Sequence, residues 1–302
     1  MNRCGLLMAA LLVAGAAVAA AGDLDTNYQD LQDAVTKNDV AAVKKLAPET
    51  SALARQELAK PADAADPDAK TRLEYLHSVD TYADYALLKL AVQAEPAVQV
   101  ELIATLEKQN PKSKYLDQAY GFYLAALAKT GAAAKVPEVA DKAIANFPQN
   151  PDLLIYLVNY AANHGQTDRE LTFATRIIAL WNSHPKAPEG VPAAEWDGKR
   201  DISLGPAYYM AGMIYASRAR WMDADQNLRA SLSYAKNNPT TNGNALLQLG
   251  VANYNIGKAT MNKARMLDAV KFSQQAAAVP GPAAQQAWHN AQVMKAEADK
   301  MR

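Results

Sequence analysis

The sequence predicts an all-α protein, and three observations carry that expectation. Helix formers dominate its 50% hydrophobic content: Ala and Leu far outweigh β-branched runs, while Gln, Lys and Glu fill the polar positions. No stretch stands out with the apolar–polar alternation of a half-buried strand. Apolar and aromatic residues recur instead at helical spacing, in segments closed by glycine or by the pairs Asn110-Pro111, Asn150-Pro151 and Asn238-Pro239.

The first residues read as an address. Arg3 supplies a positive start, Leu6 to Ala21 is apolar, and Ala17-Val18-Ala19 and Ala19-Ala20-Ala21 both offer the small-x-small pattern of a cleavage site. An apolar stretch of roughly 16 residues is shorter than the roughly 20 that span a bilayer. The expectation is a signal peptide over 1–21, cut after Ala19 or Ala21, and export to a periplasm or another extracytoplasmic space. Cys4 precedes the apolar stretch and leaves with it. A mature chain without cysteine excludes disulfides, thiolate metal sites and a cysteine nucleophile. Cleavage also removes Arg3 and no acid, so the 31 basic residues fall to 30 against 31 acidic ones, a net charge of −1. That balance gives no reason to expect nucleic acid or an anionic membrane as partner, and no integral span is expected after cleavage.

Residues 22–60 form an N-terminal helical segment, with two stretches around Val35, Val40, Val43 and Leu46. A hydrophilic linker over 61–70 comes next, Pro61-Ala-Asp-Ala-Ala-Asp-Pro67-Asp. From residue 71 to 302 the helical segments come in pairs. Tyr85, Leu88 and Val92 precede Pro96, Leu102 and Leu106. Tyr120, Tyr123, Leu124 and Leu127 run to Gly131, and Pro137 is placed to open the partner helix at its first turn. Leu154, Leu157 and Ala161 lead to Gly165, then Leu171, Ala174 and Ile177. Leu246, Leu249, Gly250 and Tyr254 lead to Gly257, and Asp268 to Phe272 with Ala276 supplies the partner. The run Ala259 to Leu267 predicts a stretched turn there. Ala283, Ala287, Val293 and Ala296 mark the apolar face of a last helix.

The clearest unit is Pro206 to Leu228. Tyr208 lies four before Gly212, Tyr215 three after it, Ala224 twelve after it, and Leu228 one turn further on, with Trp221 between. This spacing resembles the tetratricopeptide repeat (TPR), in which small residues sit where two antiparallel helices cross and aromatics fill the space around the crossing. The resemblance covers roughly Thr81 to Pro282. It implies an all-α, right-handed superhelical solenoid of about five TPR-like antiparallel helix pairs with a C-terminal capping helix.

It also implies a concave groove lined by the first helix of each pair. Carried over position by position, the groove residues are Ile155 and Asn159, then Tyr209, Met213 and Ser217, then Leu247, Val251, Tyr254 and Asn255. They are apolar and amide-bearing with few charges, which suits an extended or helical segment of another protein. The proline-rich stretch Asn182 to Leu204 lacks helical period over more than 20 residues. It reads as an insertion whose Trp196 either anchors a partner or fills the gap between helix pairs.

Other chemistry is not signalled. His77, His164, His184 and His289 are scattered, and only Asp80 and Asp168 come after a histidine at helical spacing, so neither a metal nor another cofactor is expected. Asp168 is placed to cap the helix after Gly165. No G-x-S-x-G, H-E-x-x-H or phosphate-loop motif occurs. The expected function is therefore a non-catalytic protein-interaction scaffold of the bacterial cell envelope. A helical domain or subunit of a cell-wall-acting hydrolase, and a self-assembling structural protein, are the alternatives.

Overall fold

Thirteen α-helices and one 3-10 turn account for the regular structure of the computed structural model, with no strand among the described residues, 23–61, 67–235 and 237–301. The all-α expectation holds. The expected signal peptide, and residues 62–66 of the expected linker, lie outside the described residues. The helices are α1 (Leu24–Thr36), α2 (Val40–Leu58), α3 (Ala69–Gln93), α4 (Pro96–Gln109), α5 (Lys114–Lys129), α6 (Val136–Asn146), α7 (Pro151–Asn163), α8 (Thr167–Ser183), α9 (Ala193–Ser217), α10 (Trp221–Leu232), α11 (Pro239–Thr260), α12 (Lys263–Ala278) and α13 (Ala284–Lys300). Among the described residues no helix is long and apolar enough to cross a membrane.

One closing turn recurs. Asn38, Gly131, Gly165, Ala219 and Met261 each adopt the left-handed conformation just past the end of α1, α5, α7, α9 and α11. In every case the next residue's N–H reaches back five residues to a helix carbonyl at 2.9 Å: Asp39 to Ala34, Ala132 to Leu127, Gln166 to Ala161, Arg220 to Tyr215 and Asn262 to Gly257. This is the Schellman arrangement, which satisfies carbonyls that a helix end leaves orphaned. In four of the five the same residue, Asp39, Gln166, Arg220 or Asn262, takes the N-cap position of the next helix, and Asp39 and Asn262 cap it with their side chains. The expected stretched turn over Ala259 to Leu267 is corrected by this geometry, because α11 runs on to Thr260 and α12 starts at Lys263.

The joins between hairpins use a different device. Asn150 and Asn238 cap α7 and α11 by accepting the N–H groups of Leu153 and Thr241, at 2.9 and 3.0 Å, with Pro151 and Pro239 at the first helical position. Asp168 is not the cap of α8. Gln166 holds the N-cap position, and Asp168 lies in the first turn with its carboxylate on Arg218 at 2.6 Å.

The chain divides into two compact units, up to Ala119 and from Tyr120 onward. In the first, α1 and α2 do not stand apart from the helices beyond the proline-marked stretch. Asp80 on α3 accepts hydrogen bonds from Ser51 and Arg55 of α2, and the Arg55 guanidinium also reaches the Gln109 carbonyl of α4 at 2.8 Å. Asp84 accepts from the Gln109 and Asn110 amides at 2.8 and 2.7 Å. Burial pushes its carboxyl above the usual range, and these hydrogen bonds offset only part of that rise.

In the second unit consecutive helices pack on one another from α6 to α13, and α9 also meets α11, as α11 meets α13. The buried face of α13 is Ala287, Ala291, Met294 and Ala298. Ala287 is as expected, but Val293 and Ala296 point to solvent, because the true stripe steps by four, three and four residues. At the α9–α10 crossing Gly212 is required. A Cβ there would lie 2.6 Å from Leu228 Cγ and 3.1 Å from its backbone nitrogen, and Leu228 is fully buried. Gly212→Ala gains about 1 kcal/mol of helix propensity but overpacks the crossing by about 2 kcal/mol. The expected net loss of about 1 kcal/mol is read from urea midpoints. An unchanged or raised midpoint would mean the crossing is loose.

Candidate functional site

The residues expected to line the groove stand on α7, α9 and α11. Asp152 at the start of α7 accepts the Lys199 ammonium of α9 at 2.9 Å, and α9 packs directly on α11, so the three helices lie in sequence. Burial alone would depress the Lys199 ammonium, but hydrogen bonds to Glu195 and Asp152 outweigh it and raise its pKa above the ordinary value.

Tyr209 and Met213 of α9 pack, half-buried, on a cluster that contains Leu247 together with Leu246, Ala216 and Phe272. The structure therefore brings Tyr209, Met213 and Leu247 together, and Leu247 itself is buried at 6% exposure. Val251 and Tyr254 join a second cluster, against Ala269 and Val270 of α12 and Met294 of α13. The Tyr254 hydroxyl donates to Glu297 of α13 at 2.7 Å and accepts from Lys258 at 3.1 Å. That hydroxyl, with the Lys258 ammonium, holds the Glu297 carboxyl below the usual carboxylate range. Ser217 and Asn159 are exposed, and Ile155 and Asn255 are half-buried. Asn255 donates to the Val251 carbonyl and Ser217 to that of Ile214, both at 2.8 Å and within their own helices.

Trp196 lies elsewhere than expected. It is in the first turn of α9, which starts at Ala193, so the irregular stretch is confined to residues 184–192 rather than Asn182 to Leu204. The side chain is 5% exposed, and its ring meets Trp181 of α8 edge-on with centroids 4.7 Å apart. Its indole N–H donates to the His184 carbonyl at 3.1 Å, and that of Trp181 to Ser203 Oγ at 2.9 Å. A buried indole satisfied in this way closes the turn between two helices; as an anchor for a partner it is corrected.

Two constellations have no counterpart among the motifs of the sequence. Asp225 of α10 accepts from Arg229 and from Asn253 of α11 through one oxygen, at 2.8 and 2.6 Å, and from Arg265 of α12 through the other, at 3.0 Å. Asn253, fully buried, accepts from both arginines in turn. Only the Asp225–Arg229 pair, four residues apart on α10, has a local spacing; Asn253 and Arg265 come from the next two helices. In the first unit Tyr28, Tyr75, Tyr82, Tyr85 and Tyr115 form a path of touching rings. Its one sequence signal is the α3 spacing of 75, 82 and 85, which returns to one face after two and then nearly three turns.

Among the described residues no group of three His, Cys, Asp or Glu side chains is placed to hold a metal. No protein-family model matches the chain, and no curated protein matches its sequence.

Proposed function

We propose that the chain is an exported scaffold that holds other proteins, with its helix pairs stacked as a right-handed TPR-like solenoid. The observation that carries this reading is the sequence of α7, α9 and α11, first helices of successive hairpins closed by the same left-handed turn. They present Ile155, Asn159, Tyr209, Met213, Ser217, Val251 and Asn255 at exposed or half-buried positions. Leu247 and Tyr254 support this face from beneath, since one is buried and the other is engaged by α13. A surface that is amide-bearing and apolar, with Tyr209 as its aromatic anchor, suits a partner segment recognised by shape rather than by charge. The work is passive: a preformed face offers anchors at fixed spacing, so little ordering opposes binding. Cell-envelope assembly on the far side of the inner membrane is the setting the N-terminal address suggests.

The test uses the two exposed positions, because their replacement leaves the core intact. Asn159→Arg with Ser217→Arg places bulk and charge on the face. Proteins retained from an envelope extract by the immobilised wild-type chain are expected to be lost or weakened about tenfold by the variant. An identical retained set, at equal melting temperature, would show that this face holds nothing.

A further inference from the structure

Asp84 of α3 is a carboxylate shut away from water with no cation on it among the described residues. The residue is 4% exposed. It accepts from the Gln109 and Asn110 side-chain amides at 2.8 and 2.7 Å, and from the Ser113 hydroxyl. All three donors are neutral, and all three stand where α4 ends and α5 begins. The charges on the packed elements are engaged elsewhere. Arg55 of α2 is spent on Asp80 and on the Gln109 carbonyl. Lys114, at the start of α5, holds its ammonium over the Tyr115 ring, 5.1 Å from the centroid, and Asp25 of α1 is bound by Tyr75. The charge that acts on Asp84 is Asp80, one turn before it on α3 and of the same sign.

Burying an ionised carboxylate among neutral donors is costly, because a few hydrogen bonds replace only part of its hydration. The protonated acid escapes most of that cost, and its proton has acceptors at hand. The Ser113 hydroxyl can reverse its hydrogen bond. Gln109 Oε1 is a buried oxygen with no partner among the described residues, and it belongs to the amide already on Asp84. A half-turn of that amide brings the oxygen to face the carboxyl in place of Nε2. The corner thus accommodates the neutral acid at least as well as the anion.

We propose that Asp84 is a proton-operated latch, holding the α4–α5 turn to α3 loosely at neutral pH and firmly in mild acid. The device is independent of what the chain binds. When the carboxyl is ionised, lifting the turn lets water reach the charge, so local opening is favoured. When it carries a proton, opening gains no such hydration and the turn stays shut. Burial raises the Asp84 carboxyl above its ordinary range, so the folded chain keeps the proton at a pH where the unfolded chain has released it. The resulting stability is fully present below the ordinary value and is lost as pH rises through the raised one. Glu297, whose carboxyl its partners hold low, has the opposite sign.

The test compares urea unfolding of the full chain with that of Asp84→Asn at steps from pH 7 to pH 4. The variant cannot ionise at this position, so titrations elsewhere cancel in the difference. The wild type is expected to gain stability relative to the variant as pH falls, whichever of the two is the more stable at pH 7. A constant difference, or a wild type that loses ground, overturns the proposal. Amide hydrogen exchange locates the effect. The Ser113 N–H donates to the Asn110 carbonyl at 3.1 Å and the Tyr115 N–H to Ser113 Oγ at 3.2 Å, so both are freed when the turn lifts. Their protection is expected to rise about threefold over the same pH range in the wild type and to stay level in Asp84→Asn. A gain in stability without that local rise would place the titration outside the latch and overturn it as well.

Discussion

Trp196→Ala is expected to destabilise the second unit by about 4 kcal/mol, the largest single effect foreseen for this chain. Three losses add up. Truncation removes a buried indole and leaves a cavity against Trp181, whose edge-on pairing contributes roughly 1 kcal/mol beyond its area. The His184 carbonyl, at the last residue of the α8 end, loses its donor. Residues 184–192, which hold no helix, lose the clasp that keeps α9 against α8. Trp196→Phe separates the terms, since it retains most of the packing and gives up the hydrogen bond, at about 1.5 kcal/mol. Urea unfolding of both variants checks the ordering. A tryptophan acting as an exposed anchor would show the reverse: near-normal stability in Trp196→Ala and loss of partners alone.

Asp225→Ala comes second, with an expected cost of about 3 kcal/mol. The carboxylate is the hub on which α10, α11 and α12 converge, and its side chain is only 9% exposed. Its removal leaves Arg229 and Arg265 facing one another across Asn253, with the half-exposed Asp268 carboxylate, 3.6 Å from Arg229, left to offset one of them. The two guanidiniums are 40% and 30% exposed, so water recovers part of the loss, and the figure is set at the low end for a broken buried pair for that reason. Asp225→Asn keeps the shape and removes the charge. If it unfolds at the same urea concentration as the wild type, charge contributes nothing to the hub, and the role assigned to the carboxylate is wrong.

Much of the fold was legible because helices announce themselves by spacing. At the α9–α10 crossing Gly212 lies against Leu228 and Ala224 is fully buried, as their spacing implies. The errors have local causes. Pro206, Gly198 and Gly205 argue against a helix through 193–217, and its early turns bury little besides Trp196, Ser203 and Leu204, so no apolar stripe betrays it. Ala219 and Met261 occupy a backbone conformation where glycine or asparagine is the expected signal, which hid two of the five closing turns. The expected binding face was legible only to the level of a helix face. Repeat spacing says which side Leu247 and Tyr254 share, but not that Leu247 packs into the cluster beneath and that α13 engages Tyr254. The tyrosine path was illegible for a further reason, since its members run from residue 28 to 115 and meet only once α1, α3 and α5 are assembled.

The short closing turn has a kinetic consequence. The entropy of closing a loop grows with its length, and here, in four of the five turns, two helices are brought together across only two or three residues, one of them left-handed. The first tertiary contacts each hairpin makes are therefore between near neighbours in sequence. Chains rich in such short-range contacts cross the folding barrier quickly. Each pair of helices can thus gather its own side chains before the next pair arrives, and the long-range steps that remain join pieces already half made.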